Sequence, residues 1–303
     1  MKKNRLYILL SIVVFILLAI WTVYCVKKYC DVFNRNIDKY YEMTERCQNG
    51  NVSVSEETCT YLKSQGPPVM PDTVTLFFQF LLDLDLCQIQ YLAPFIIFIL
   101  AAFSVCRDYN TGFYINKLTR ISYFQCLKQA FFKACKSVWV IIAWLIFVFI
   151  VAYFVSGHFN YNLTLSYYTV NGIPDLAEYI HNYWWFIFIF IFNLICNLMF
   201  YVNLAFIPIK KSQNYIISVI SSYLIFLFCD VFFELFMGGF VFKRIFGISH
   251  VSDLMNLFNF WVYDSIPNLP LYCLYCFSLF IGSLLILYFM YRKKEEVIIA
   301  SEK

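Results

Sequence analysis

Six stretches of apolar residues recur along the chain, near 6–26, 88–106, 137–156, 184–206, 215–236 and 271–291, with polar or interrupted segments between them. About 20 helical residues cross roughly 30 Å of hydrocarbon, so each run predicts one membrane-spanning helix. The first run follows Met1-Lys2-Lys3-Asn4-Arg5, as in a signal peptide. It is longer than the usual signal core, and no small-residue cleavage site follows, so a retained span is expected. The fold class is therefore an all-α membrane protein with six transmembrane helices.

The segments between the runs differ in character. Residues 27–87 are polar and acidic, broken by Gly66-Pro67-Pro68 and Pro71 ahead of an amphipathic stretch from Val74 to Leu86. Residues 157–183 hold His158 and the turn Asn171-Gly172-Ile173-Pro174. Residues 237–270 open with Gly238-Gly239 and end with Pro267 and Pro270. This last segment is too apolar for a solvated loop and too interrupted for a span. A re-entrant or interfacial hairpin is expected, since irregular backbone at membrane depth must be covered by protein. Residues 107–136 begin with the charged pair Arg107-Asp108, at the end of the second run. Gly112 permits a turn. Phe113, Tyr114 and Leu118 then recur at near-helical spacing, opposed by Lys117 and Arg120. From Arg120 a second amphipathic helix carries Lys128, Lys133 and Lys136 towards the third span.

Composition removes the soluble alternatives. The chain has 303 residues, 61% hydrophobic and 14% charged, against about 45–50% and about 25% in soluble domains. The 35 Phe and 24 Tyr suit acyl chains and headgroups. Charge then sets orientation. With the N-terminus inside, the inner segments hold 15 of the 23 basic residues and only 4 of the 19 acidic ones (Asp108, Glu295, Glu296 and Glu302). Both termini are expected in the cytoplasm, with 27–87 outside. The basic residues lie in short clusters beside apolar runs, where topology and anionic lipid account for them, so no nucleic-acid partner is expected.

Catalytic patterns are missing. None of the nine glycines precedes Lys-Ser or Lys-Thr, so no phosphate-cradling loop is present and ATP hydrolysis in this chain is not expected. His158, His181 and His250 are isolated, and no metal site is expected. No Gly-x-Ser-x-Gly elbow occurs. Gly282-Ser283 sits in a span, and Glu295-Glu296 in the tail. Cysteines within spans behave as small apolar residues, and Cys273-x-x-Cys276 is read as packing. Cys30, Cys47, Cys59 and Cys87 fall in or at the end of 27–87. An oxidising exterior favours a disulfide there, and Cys47 with Cys59 is the first pairing to expect.

Four polar residues stand out at depth. Asp230 and Glu234 lie four apart in the fifth span, on one helical face. Ionisable groups there face protein or water. They line a substrate path, hold the hairpin after Gly238, bond between helices, or simply sit near the outer interface. Asn193 and Asn197 share a face of the fourth span. Amides in lipid commonly bond to neighbouring helices, with a place on a translocation path as the alternative.

The run Arg107-Asp108-Tyr109-Asn110-Thr111-Gly112, then Arg120, then Lys128 leading into a span, resembles the first inner loop of ABC-2 type permeases. The six-span layout is similar too, as is an interrupted apolar hairpin before the last span. Phe113 stands where that family usually has Thr, and Leu118-Thr119 replaces the Pro common before the arginine. The resemblance implies a permease subunit of a bacterial ABC exporter in the cytoplasmic membrane. It would pair with a second permease subunit, identical or related, and sit on separate ABC ATPase subunits that bind ATP and Mg, with no cofactor in this chain. Arg107, Asp108, Tyr109, Gly112, Phe113, Lys117 and Arg120 would form the coupling loop. The implied cargo is hydrophobic or amphipathic, such as an antimicrobial peptide. The alternative reading is a membrane sensor or scaffold whose segment 27–87 binds a ligand.

Overall fold

In the computed structural model, residues 2–49, 56–82, 84–110, 118, 120–157, 183–212, 214–248, 255–258 and 269–292 are described. Every regular element among them is helical: α1 (Lys2–Gln48), α2 (Glu56–Gln65), α3 (Thr73–Leu82), α4 (Leu84–Asn110), α5 (Tyr123–Cys135), α6 (Val138–Ser156), α7 (Tyr183–Ser212), α8 (Tyr215–Val231), a π-helical continuation (Phe232–Ile245) and α9 (Leu269–Tyr291). Six helical stretches are long and apolar enough to cross a membrane. The chain has a multi-pass helical membrane fold. Residues 158–182, with His158 and His181, lie outside the described residues, as do His250, Glu295-Glu296 and most of the hairpin segment after Ile248.

The helices divide between two compact units. One comprises residues 1–16, 87–145 and 165–303; the other comprises 17–86 and 146–164.

The larger unit is organised around α7, which packs along α9 and α8. Its centre is aromatic. Phe226 meets Tyr201 at 5.5 Å, Phe98 at 6.1 Å and Phe258 at 4.8 Å between ring centroids. These are edge-to-face arrangements, which complement the ring quadrupoles. Polar contacts tie α7 to α9. Asn203 Nδ2 donates to Ser283 Oγ at 2.8 Å, and Tyr291 Oη donates to the Phe206 carbonyl at 2.8 Å. Lys210 Nζ donates to the Met290 carbonyl. In lipid, such bonds give helices a mutual register that apolar contact alone does not supply.

Local sequence explains the helix boundaries here. Ser122 caps α5, accepting the Gln125 N–H at 3.3 Å, and Asn214 caps α8, accepting from Ile216 N–H at 3.0 Å. Between α5 and α6 the chain turns at Lys136-Ser137, where Ser137 Oγ donates to the Ala134 carbonyl at 2.7 Å. The fifth span does not stop at Gly238-Gly239, where the sequence suggested a break; it continues in π winding to Ile245. Two glycines cost about 1 kcal/mol each in a helix, but an unpaired backbone group in hydrocarbon costs several, so winding persists. Gly247, at φ +72°, turns the chain out of the helix, a conformation that glycine adopts without strain.

The smaller unit holds the rest of α1, then α2, α3 and the end of α6. No Pro or Gly interrupts residues 2–48, and α1 runs unbroken for 47 residues, about 70 Å at 1.5 Å per residue. Its polar half carries a Glu42–Arg46 pair one turn apart. Asp72 caps α3, accepting the Thr75 N–H at 2.8 Å. The apolar face of α3 buries Leu76, Phe80 and Leu81. Tyr29 Oη donates to Gln79 at 3.0 Å, and Phe77 meets Phe149 at 5.6 Å.

Candidate functional site

Two polar clusters in the larger unit, one at each end of the helical bundle, have the features of working parts. The first lies at the basic end, where α4 carries charge out of its apolar run. Asp108 Oδ2 accepts from Lys133 Nζ at 2.9 Å, and the same ammonium donates to the Ser104 carbonyl at 2.7 Å. Lys133 therefore closes the last turns of α4 onto α5. A cation beside the carboxyl end of a helix also complements the partial negative charge of its free carbonyls. Arg107 lies 6.0 Å from the Phe103 ring centroid. Both Arg107 and Asp108 line a small cavity of about 120 Å³ with Tyr7, Lys133 and Lys136. Tyr109 belongs to the final turn of α4. Arg120 is exposed in the turn ahead of Ser122. Gly112, Phe113 and Lys117 lie outside the described residues.

The second cluster lies towards the other end of α8. Asp230, 8% exposed, accepts the Leu257 N–H at 2.8 Å. Asn256 Nδ2 donates to Glu234 Oε2 at 3.1 Å. Tyr201 Oη donates to the Leu257 carbonyl, and Tyr275 Oη donates to the Met255 carbonyl at 3.1 Å. Phe258 inserts between Phe226 and Tyr91, the latter at 5.0 Å. Side chains from α7, α8, the π segment and α9 thus bond to residues 255–258, whose backbone is not helical. A buried amide or carbonyl without a partner costs about 1–3 kcal/mol, so each of these side chains answers a need of the stretch. Asp230 and Glu234 thus each bond to a residue of the segment after Gly238.

Asn193 and Asn197 are buried in α7. Asn197 Nδ2 donates to Cys276 Sγ at 3.4 Å, a contact between helices. Cys273 and Cys276 are free thiols. In the smaller unit a disulfide joins Cys47 to Cys59, and Tyr40 Oη donates to the Leu62 carbonyl at 3.2 Å, bracing the end of α1 against α2. Cys30 is free.

Several of these partners are invisible in the sequence pattern. Lys133 reads only as one basic residue among many. Its distinguishing signal is that Asp108 is the sole acid of the inner segment 107–136. Tyr201 and Tyr275 carry no signal, since most of the 24 tyrosines suit lipid headgroups equally well. Among the described residues no cluster of three His, Cys, Asp or Glu is placed to hold a metal ion. No family model, curated protein or solved structure matches this chain.

Proposed function

We propose that the chain is the permease subunit of an ABC-2 type exporter, driven by separate ATPase subunits and paired with a second permease subunit. The observation that carries this reading is the clasp of Asp108 and Ser104 by Lys133. A soluble motor can displace membrane helices only through a stiff connection. The clasp makes the end of the second span and the helix feeding the third one mechanical piece. The resemblance of Arg107–Gly112, Arg120 and Lys128 to the family's inner loop supports the same assignment. On this reading the basic end faces the cytosol. The 255–258 stretch closes the opposite end of the bundle, and movement of the α4–α5 piece is passed along α4 and α8 to release it. The cargo class is hydrophobic or amphipathic, with antimicrobial peptides the preferred case. Both termini lie in the cytoplasm of a bacterial cell.

The experiment is purification of the full chain from its native membrane with any stoichiometric ATPase, followed by transport and ATP turnover in vesicles. Arg107→Glu combined with Gly112→Pro is expected to leave membrane insertion intact and to uncouple hydrolysis from transport. Unchanged transport, or a chain that brings down no nucleotide-hydrolysing partner, refutes the reading. The second reading, a sensor with a ligand-binding 27–87 segment, is favoured by one observation: the disulfide-braced pairing of α1 with α2. It requires a response to an external ligand that survives loss of the inner loop.

A further inference from the structure

The amphipathic helix α5 leaves a groove open along α9. Leu127, Phe131 and Phe132 stand on one side and Leu284, Leu287 and Tyr288 on the other, around a cavity of about 470 Å³. Small-molecule sites typically enclose about 300–1,000 Å³. The groove has fixed walls. Tyr123 Oη, at the start of α5, donates to the Tyr291 carbonyl at 3.1 Å, and Phe131 meets Phe206 at 5.7 Å between centroids.

Among the described residues one charge lines this apolar slot. Lys128 Nζ sits 5.8 Å from the Phe132 ring centroid. No carboxylate among the described residues lies within ion-pair distance of it. Phe124, Lys128 and Phe132 are spaced by four and share a helix face, and the two rings are 66% and 58% exposed. A cation is thus set in a row of open aromatic rings, on a helix that turns into a span at Val138. Such a helix sits at headgroup depth, where basic segments attract anionic lipid. A neutral apolar occupant offers the ammonium no counter-ion. A small soluble anion leaves the slot unfilled. An amphiphile with an acyl chain and an anionic head satisfies both.

We propose that the α5–α9 groove seats one anionic phospholipid of the surrounding bilayer, its phosphate on Lys128 and one acyl chain along Phe131 and Leu284. The site stands whether or not the chain works with an ATPase, and lipid occupancy would set how firmly α5 is held against α9.

The test uses the purified full-length chain in detergent, titrated with palmitoyl-oleoyl phosphatidylglycerol or its phosphatidylcholine counterpart, with retained lipid counted by native mass spectrometry. One phosphatidylglycerol is expected to be retained in preference to phosphatidylcholine. Lys128→Gln is expected to weaken that retention about fivefold, the effect of one phosphate–lysine contact near a membrane. Leu284→Trp, at a part-exposed position, is expected to lower retention with helicity unchanged. Lys136→Gln, on the following turn, is expected to leave it as it was. Millimolar inorganic phosphate is expected not to displace the lipid. Equal retention of the two lipids overturns the proposal, as does a Lys128→Gln protein that behaves as the parent. So does a Lys136→Gln loss as large as that of Lys128→Gln, since diffuse charge would then suffice. Displacement by free phosphate makes the site one for small anions. A dimer that covers Phe124 and Phe132 and excludes lipid makes it a protein interface.

Discussion

The carboxylate of Asp230 accepts the backbone N–H of Leu257 at 2.8 Å, across 27 residues of sequence. A buried acid is commonly read as part of an ion path. Here its partner is a peptide group, and it works together with Glu234, Tyr201 and Tyr275 on the same short stretch. Residues 255–258 are not helical, and Asp230 supplies the Leu257 N–H with the acceptor that a helix would otherwise give.

Asp230→Ala leaves the Leu257 N–H buried without an acceptor, at a cost of about 1–3 kcal/mol. Asp230→Asn keeps a carbonyl oxygen in place and is expected to cost less. Thermal unfolding in detergent should rank the parent first, Asn second and Ala last. Equal stability of all three would show that the carboxylate does not hold Leu257.

Phe226 is completely buried, with Phe98, Tyr201 and Phe258 against its ring. Phe226→Ala is expected to destabilise by about 3–5 kcal/mol, the usual range for an aromatic truncation that leaves a cavity. Phe226→Leu should lose substantially less. Denaturant unfolding of the two variants gives the comparison, and losses of equal size would mean that the ring's shape is immaterial.

The Asp108–Lys133 pair is part-exposed, with side-chain exposures of 17% and 32%. Solvent screening limits such a pair to roughly 1 kcal/mol of coupling, although Lys133 also closes the Ser104 carbonyl. A double-mutant cycle with Asp108→Asn and Lys133→Met should therefore give a small positive coupling. On the exporter reading, transport should fall far more than stability. Proportionate loss of both would make the clasp a purely structural brace.

The Cys47–Cys59 bond closes a loop of 12 residues. Chain-entropy reasoning assigns about 3 kcal/mol to a loop of that order. Cys47→Ser is expected to speed hydrogen exchange in α2 while leaving the membrane helices unchanged. Before reduction neither thiol should react with a maleimide. After reduction, a membrane-impermeant maleimide applied to intact cells should label both, and should spare cysteines placed at 210 and 211. The opposite labelling pattern would invert the topology.

The exposed Phe232, Phe236 and Phe240 form a row of stacked rings on the π continuation of α8, with Phe232 and Phe236 5.4 Å apart and Phe236 and Phe240 6.0 Å apart. Phe236→Asp places a charge on this face, whose cost at the centre of a bilayer is about 3 kcal/mol. Insertion measured by protease protection should fail if the face meets lipid. Normal insertion would place Phe236 in a polar environment.

The six spans were legible in the sequence because lipid imposes one rule on every segment that crosses it. Side chains must be apolar over about 20 residues, and the backbone must be satisfied within the helix. That rule acts on each run by itself, so it reads locally. The amphipathic pattern from Arg120 announced α5 without help from other parts of the chain. The start of the polar stretch at 27 was a change of composition and no change of structure, since nothing between Lys2 and Gln48 breaks a helix. Gly238-Gly239 misled for the complementary reason: intrinsic preference is weak beside the cost of unpaired backbone in hydrocarbon.

Pairing between helices is settled by the packed fold. Lys133 reaches Asp108 across 25 residues, Asp230 reaches Leu257 across 27, and Asn203 reaches Ser283 across 80. Hydropathy cannot encode these contacts, because a hydrogen bond between helices depends on how two cylinders are rotated and slid against one another. That rotation is fixed by the sum of many small packing contacts, such as those around Phe226. Local hydropathy is enough to mark six helices that are long and apolar enough to cross a membrane. The packing determined which of its few polar side chains meet, and therefore which of them can act together.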